Sequence, residues 1–303
     1  MNRKSFFEKV GILSAIPLLK TIDSYALDTV QKKADFKVLT CNIRVALDED
    51  EANGVGWSTR KEGCLKIIKE QTPDIIGFQE VLKPQFLDLK AGLKDFHGLN
   101  FDGPEMDAHK EGYHGIAKNP IFFSKKRFEL LAAGGYWLSE TPLVAGSKSW
   151  GTARARNMSW VRLYDRVTQK EFRFLNLHLD HVSNEAKLAQ TQLVLEESAQ
   201  YQPEFPQIFV GDFNASAPSK VIQSILFAGW KDSYVEVHGE GEPGATVHSF
   251  KGEDDPKKDV RKKIDFIFTK GNVTAVDSKI IKDSYRGIYP SDHYFVEAVL
   301  RCD

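Results

Sequence analysis

Short polar clusters, each closing or following an apolar, strand-like run, constrain this chain more than any other feature. The sharpest is Gly211-Asp212-Phe213-Asn214, directly after Gln207-Ile208-Phe209-Val210. Alternation along an extended chain puts Asp212 and Asn214 on one face. The others are Thr40-Cys41-Asn42-Ile43-Arg44, Gly77-Phe78-Gln79-Glu80, Asn176-Leu177-His178-Leu179-Asp180-His181, Lys263-Ile264-Asp265-Phe266-Ile267-Phe268 and Ser291-Asp292-His293. Polar residues at strand ends are what a rigid scaffold converges on one cleft.

Helical segments fall between these strands. Ser58 opens one carrying Cys64, Leu65, Ile67 and Ile68, which Thr72-Pro73 stops before the strand at 74–80. Asn184 to Glu197 reads as a second helix through Ala186, Ala189 and Leu193, and Val221 to Leu226 as a short third. Further strands are expected at 120–123, 128–131, 158–163 and 172–179, and two last strands at 264–268 and 294–300. The stretches 100–119, 139–156 and 238–263 read as loops, the last a charged, solvated connection. Strands interleaved with helices predict an α/β fold of two mixed β-sheets with helices outside.

The hydrophobic fraction of 42% and charged fraction of 27% suit a globular protein with a sizeable core. A net charge of -1 argues against coating nucleic acid through bulk electrostatics. Basic Arg3 and Lys4, an apolar stretch from Gly11 to Leu19 and small Ser24 and Ala26 follow the order of a signal peptide over residues 1–26. Residues 27–303 are then expected as one exported catalytic domain, periplasmic or extracellular, and the apolar run is too short for a membrane span. Cys41, Cys64 and Cys302 read as buried thiols, with no zinc-like spacing.

Hydrolysing a phosphate ester needs an aimed water, a sink for charge on the phosphoryl oxygens and help for the leaving oxygen. Glu80, Asp212, Asp265 and Asp292, with Asn42 and Asn214, offer hard oxygen ligands beside the imidazoles of His178 and His293. Oxygen-rich sites favour Mg²⁺ or Mn²⁺ over zinc. Arg44 and Arg156, with Arg154 competing for the same role, suit phosphate oxygens through the guanidinium fork. Asn119 and His248 are further substrate-contact candidates, although a solvent-facing role is the plainer expectation for His248. Trp137, Trp150 and Trp160 read as packing residues.

These motifs, in this order from Phe36 onward, resemble the endonuclease/exonuclease/phosphatase superfamily. The resemblance implies a four-layered α/β sandwich and a divalent-metal phosphodiesterase or phosphomonoesterase. It makes Glu80 the principal metal ligand with Asn42 and Asp292 nearby. Asp212 and Asn214 then orient or deprotonate the water and hold the phosphate. His293, buttressed by Asp265, matches the catalytic histidine, and His178 a histidine donating to a phosphoryl oxygen. Asp180 and His181 either orient His178 or begin the next loop. A nuclease or deadenylase-like activity on nucleic acid, and a phosphate-binding protein without turnover, are the alternatives. The expected partner is a phosphate-ester substrate, small molecule or nucleic acid, and no protein partner is evident.

Overall fold

The apolar runs form the strands of two sheets. The computed structural model describes residues 34–100, 115–241 and 243–303. The expected signal segment and most of the 100–119 loop lie outside the described residues. In chain order come β1 (Phe36–Asn42), α1 (Asp48–Ala52), α2 (Trp57–Glu70), β2 (Ile75–Gln79), α3 (Lys83–Gly92), β3 (Phe96–Leu99) and β4 (Ile121–Ser124). There follow β5 (Phe128–Trp137), β6 (Asn157–Asp165), β7 (Lys170–His178), α4 (Asn184–Ser198), β8 (Gln207–Asp212), α5 (Lys220–Phe227), β9 (Lys231–Asp232) and α6 (Ser233–His238). The last are β10 (Asp265–Lys270), β11 (Val273–Ile281) and β12 (Phe295–Cys302).

One six-stranded sheet has the order β11-β12-β1-β2-β4-β3 and the other β5-β6-β7-β8-β10-β9. Each is mixed: β1 runs parallel to β2 and β7 to β8, among antiparallel neighbours. The register sets Asn42 beside Gln79, His178 beside Asp212, and Asp265 opposite Asp212. The polar clusters therefore share one end of each sheet.

Between the sheets, Phe36, Val38, Ile75 and Val296 meet Val161, Phe174, Ile208 and Ile267 in one buried core. Ile67, Ile68 and Leu89 of α2 and α3 cover the outer face of the first sheet at Leu39, Ile76 and Phe122. Val194, Ile222 and Ile225 of α4 and α5 cover the second at Leu175, Phe209 and Phe268. This is the four-layered α/β sandwich the sequence implies.

Helix α2 buries Trp57, Arg60, Cys64, Ile67 and Ile68, a stripe at helical spacing. Ser183 and Ser219 cap α4 and α5 by accepting from the Ala186 and Ile222 amides, satisfying a donor each helix start leaves open. The three cysteines are free and buried. Among the described residues no helix is long and apolar enough to cross a membrane.

Several elements depart from the sequence expectation, the short α1, β3, β9 and α6 among them. β5 runs on to Trp137 past a bulge between Leu130 and Ala132, and most of it is exposed, so alternation fades there. Helix α3 starts from Leu82 instead of a polar cap and buries only Gln85 and Leu89. β11 lies between the two strands expected to close the chain; a bulge between Ala275 and Asp277 interrupts its alternation.

Candidate active site

Asn42, at the end of β1, sits between the sheets. Its Nδ2 donates to Glu80 Oε1 at 3.2 Å and to Asp212 Oδ2 at 3.0 Å, while its Oδ1 accepts from the Arg44 amide at 3.0 Å. Glu80 follows β2 with a left-handed backbone, φ +62°, and its Oε2 accepts from the Val45 amide at 2.9 Å. Arg44 and Asn214 are also left-handed, at φ +59° and +46°. Such non-glycine residues are uncommon and persist where their surroundings hold them, here at three strand-end turns of one cleft.

Asp212 anchors the second sheet's side. Gly211 before it has φ +151°, and a Cβ there would lie 2.1 Å from the Leu177 carbonyl oxygen, so only glycine lets β8 lie this close to β7. Asp212 Oδ1 accepts from the Asn214 amide at 2.9 Å. Asp212 Oδ2 lies 3.4 Å from His178 Nε2 and 3.9 Å from His293 Nε2. On the far side of that second ring, Nδ1 meets Asp265 Oδ2 at 3.0 Å. Burial, then the neighbouring Asp265, pushes the Asp212 carboxyl up to about 7 against the opposing pull of His293. Burial alone would lower the His293 pKa, yet Asp265 and then Asp212 and Asp292 raise it well above the ordinary value.

His178 is the opposite case. Burial, then Arg156, His293 and His181, holds its pKa well below the usual imidazole range. Asn214 Nδ2 contacts its Nε2 at 2.9 Å and donates to the Leu179 carbonyl at 3.1 Å. An amide that donates to Nε2 places the ring proton on Nδ1, a nitrogen with no partner among the described residues. Two imidazoles pushed in opposite directions thus flank the same carboxylate.

The remaining candidates divide. Asp292 Oδ2 stands 3.6 Å from Arg44 Nη1, and Arg44 donates through Nε and Nη2 to Asp50 at 2.8 and 3.3 Å. Two nitrogens of its fork are thus engaged by Asp50, and the third stands beside Asp292. Arg156 is buried, with Nη2 at 3.3 Å from His181 Nδ1, on the His178 side. Asn119 donates to the Asn157 backbone and side chain at 2.9 and 3.0 Å, and no bond of its own joins it to the cluster. Asp180 accepts from the Ala153, Val182 and Ser183 amides, binding two loops together. Trp137 and Trp160 are packing residues, one in a small cluster with Ala155, the other over the buried Arg173.

His248 corrects the expectation of a solvated loop: it is 2% exposed, stacked 4.1 Å from Tyr294. Its amide and that of Ser249 donate to the Asp292 carbonyl at 2.8 and 3.1 Å, so this segment fastens the turn that carries Asp292. The sequence also left unassigned a polar rung beneath the site. Gln79 Nε2 donates to Asn176 Oδ1 at 2.6 Å and Thr40 Oγ1 at 3.1 Å, linking the sheets just below Glu80, Asn42 and His178. Its signal was present: each member lies one or two residues before a cluster residue.

Asp212, Asp265 and His293 offer ligand atoms within 4.8 Å of one another. Asp265 Oδ1 is buried with no partner among the described residues, and Glu80, Asp292 and Asn42 add hard oxygens to the same cleft. The carboxylate and amide oxygens of this set, leaving out the His293 nitrogen that Asp265 engages, fit a hard divalent cation.

The sequence matches the Endonuclease/Exonuclease/phosphatase family over residues 39–293, and the chain belongs to that family. Its members are hydrolases acting on phosphate esters and generally depend on a divalent metal. A solved endonuclease/exonuclease/phosphatase family protein from Bacteroides thetaiotaomicron is similar at 28% identity and TM-score 0.78, covering 89% of this chain and 98% of its own. A mannosyl-6-phosphatase from the same organism is similar at 28% identity and TM-score 0.77, covering 88% of this chain and 99% of its own. The human nocturnin catalytic domain shares the fold at 20% identity and TM-score 0.67, covering 89% of this chain and 95% of its own. No curated protein is similar in sequence.

Proposed function

We propose that the chain is an exported, Mg²⁺-dependent phosphoesterase that hydrolyses a phosphomonoester of a small molecule by in-line attack of water. The observation that carries this reading is the convergence of Asn42, Glu80 and His293 from the first sheet with Asp212, His178 and the His293-steering Asp265 from the other. The similar mannosyl-6-phosphatase supports a sugar-type monoester, and the net charge of -1 supports a small substrate over a polyanion.

Glu80, Asp292 and Asn42 would hold the cation, which when bound supplies stabilisation of charge on the phosphoryl oxygens. Asp212, poised near neutrality, takes the proton of the attacking water, the role for which a carboxyl pKa near the operating pH is suited. His293, steered by Asp265, faces the phosphoryl group as a donor, and His178 stands beside Asp212 on the other side. Asn214 orients the His178 ring, and Arg156 supports phosphate binding from that side.

The test is turnover of mannose 6-phosphate, a chromogenic phosphodiester and single-stranded RNA and DNA, with Mg²⁺, Mn²⁺ or chelator, beside Glu80→Ala and His293→Ala. Mg²⁺-dependent release of phosphate from the monoester, lost in both variants, is expected. Full activity in both variants would overturn the site, and preference for nucleic acid would overturn the substrate class.

A further inference from the structure

Arg60 lies on α2, outside every polar cluster read from the sequence, and is 1% exposed. No carboxylate pairs with it among the described residues. Its guanidinium instead donates to backbone carbonyls: Nε to Val55 at 2.6 Å, Nη1 to Ile43 at 2.8 Å and to Pro290 at 2.7 Å, and Nη2 to Arg44 at 3.4 Å. The rings of Trp57 and Phe250 lie 5.7 and 5.2 Å from it. Ile43 and Arg44 directly follow Asn42, Pro290 is two residues before Asp292, and Phe250 belongs to the segment that fastens Asp292. One side chain therefore joins the turn after Asn42 to the turn that carries Asp292 and His293.

Burying a cation without a carboxylate is expensive, and an apolar side chain would fill the same space without that penalty. What an apolar residue cannot supply is a planar fork of donors that fixes several carbonyls at once, and a lysine ammonium lacks that geometry. We infer that Arg60 is a positioning residue, setting the separation between the β1 end at Asn42 and the turn bearing Asp292 and His293. This rests on the function proposed above.

The experiment compares Arg60→Lys with Arg173→Lys, a second fully buried arginine that lies between Trp160 and Tyr201. Arg173 stands on β7 five residues before His178, about 16 Å along the strand. Thermal midpoint, kcat, KM and Mn²⁺ affinity by calorimetry are measured for both. Arg60→Lys is expected to lower kcat and Mn²⁺ affinity roughly 10- to 100-fold with KM within about threefold, the scale of losing a group that orients metal ligands. Arg173→Lys should leave kcat and Mn²⁺ affinity within about twofold at a similar loss of midpoint, as a change remote from the ligands does. Equal catalytic losses in both variants, or kcat retained in Arg60→Lys, would overturn the inference. Should Arg60→Lys not fold, the wild-type protein decides: its Arg60 Nε–H resonance should shift on adding Mg²⁺ while that of Arg173 does not, and an unmoved Arg60 signal refutes the role. Glu80→Ala separates the two levels. Activity there overturns the proposed site itself, whereas an inactive Glu80→Ala beside an unaffected Arg60→Lys overturns only the role of Arg60.

Discussion

The Asn42 amide nitrogen is 3.0 Å from Asp212 Oδ2, a hydrogen bond between residues 170 positions apart that ties the end of β1 to the end of β8. The same nitrogen reaches Glu80, so one neutral side chain holds two carboxylates from different sheets at a fixed spacing. Asn42→Asp would put a third carboxylate in that gap. Like charges so close disfavour ionisation, so the Asp212 pKa should rise further and the acid limb of the kcat/KM profile should move up. A drop of about 10- to 100-fold at pH 7 is expected, the range for losing a group that orients ligands. Steady-state kinetics across pH 5 to 9 check both parts, and an unmoved limb would contradict the arrangement.

Asp265 has a different task, because its Oδ2 fixes the Nδ1 side of His293 and raises the ring's pKa. In Asp265→Asn the His293 pKa falls, so the cation is lost at a lower pH than in the wild type. The basic limb of the activity profile should therefore move down, with kcat reduced about 10²- to 10⁴-fold, the usual worth of a positioned acid or base. A profile identical in shape would argue that the pair serves stability alone.

Metal-free stability should carry the same signature. The folded pKa of Asp212, about 7, lies above its unfolded value of 3.8, so the native state binds the extra proton between those limits. The sign of linkage then makes this group's contribution largest at acid pH and lost as pH rises through about 7. His293, also raised, adds a contribution present below its unfolded value of 6.5 and lost as pH climbs through its higher folded pKa. Urea unfolding in chelator should show the wild type losing on the order of 2 kcal/mol relative to Asp212→Asn between pH 5 and 7, given about 1.4 kcal/mol per pKa unit. Parallel stability curves for the two proteins would refute the assignment.

Away from the site, Lys263 is buried 2.7 Å from Asp232 and stands 3.7 Å from the centre of the Phe266 ring. Lys263→Met strands a carboxylate in the interior, a change that costs about 3 to 5 kcal/mol, whereas a double change to Lys263→Met with Asp232→Leu should recover most of it. A double-mutant cycle by urea unfolding measures the difference. Additive losses would mean the pair does not act as a unit.

Much of the site was legible because its chemistry sits where a sequence displays it. Asn42, Glu80, Asp212, Asp265 and His293 each interrupt or close an apolar run, and period-2 alternation is enough to put them at the same end of their strands. Their partners are less visible. Nothing local announces that Asn42 meets Asp212, since that contact depends on how the two sheets stack. Arg44 has the right side chain for phosphate, and its pairing with Asp50 depends on α1, a helix too short to show in the sequence pattern. Arg60 belongs to none of the polar clusters, and tertiary packing turns it inward between Trp57 and Cys64. β11 escaped because a bulge breaks its alternation, and His248 because it sits in a loop that turns highly charged from Lys251 on, while its neighbours in space are tyrosines.

β1 lies between β2, its near neighbour in sequence, and β12, which the chain supplies only after residue 294. During synthesis, Asn42, Glu80, His178 and Asp212 all emerge while one side of β1 still shows bare amides and carbonyls, the kind of rim on which stray strands add. Docking of β12 both seals that rim and follows directly from the turn bearing Asp292 and His293. A nascent chain therefore acquires its complete cleft in the same late event that covers the open edge of β1.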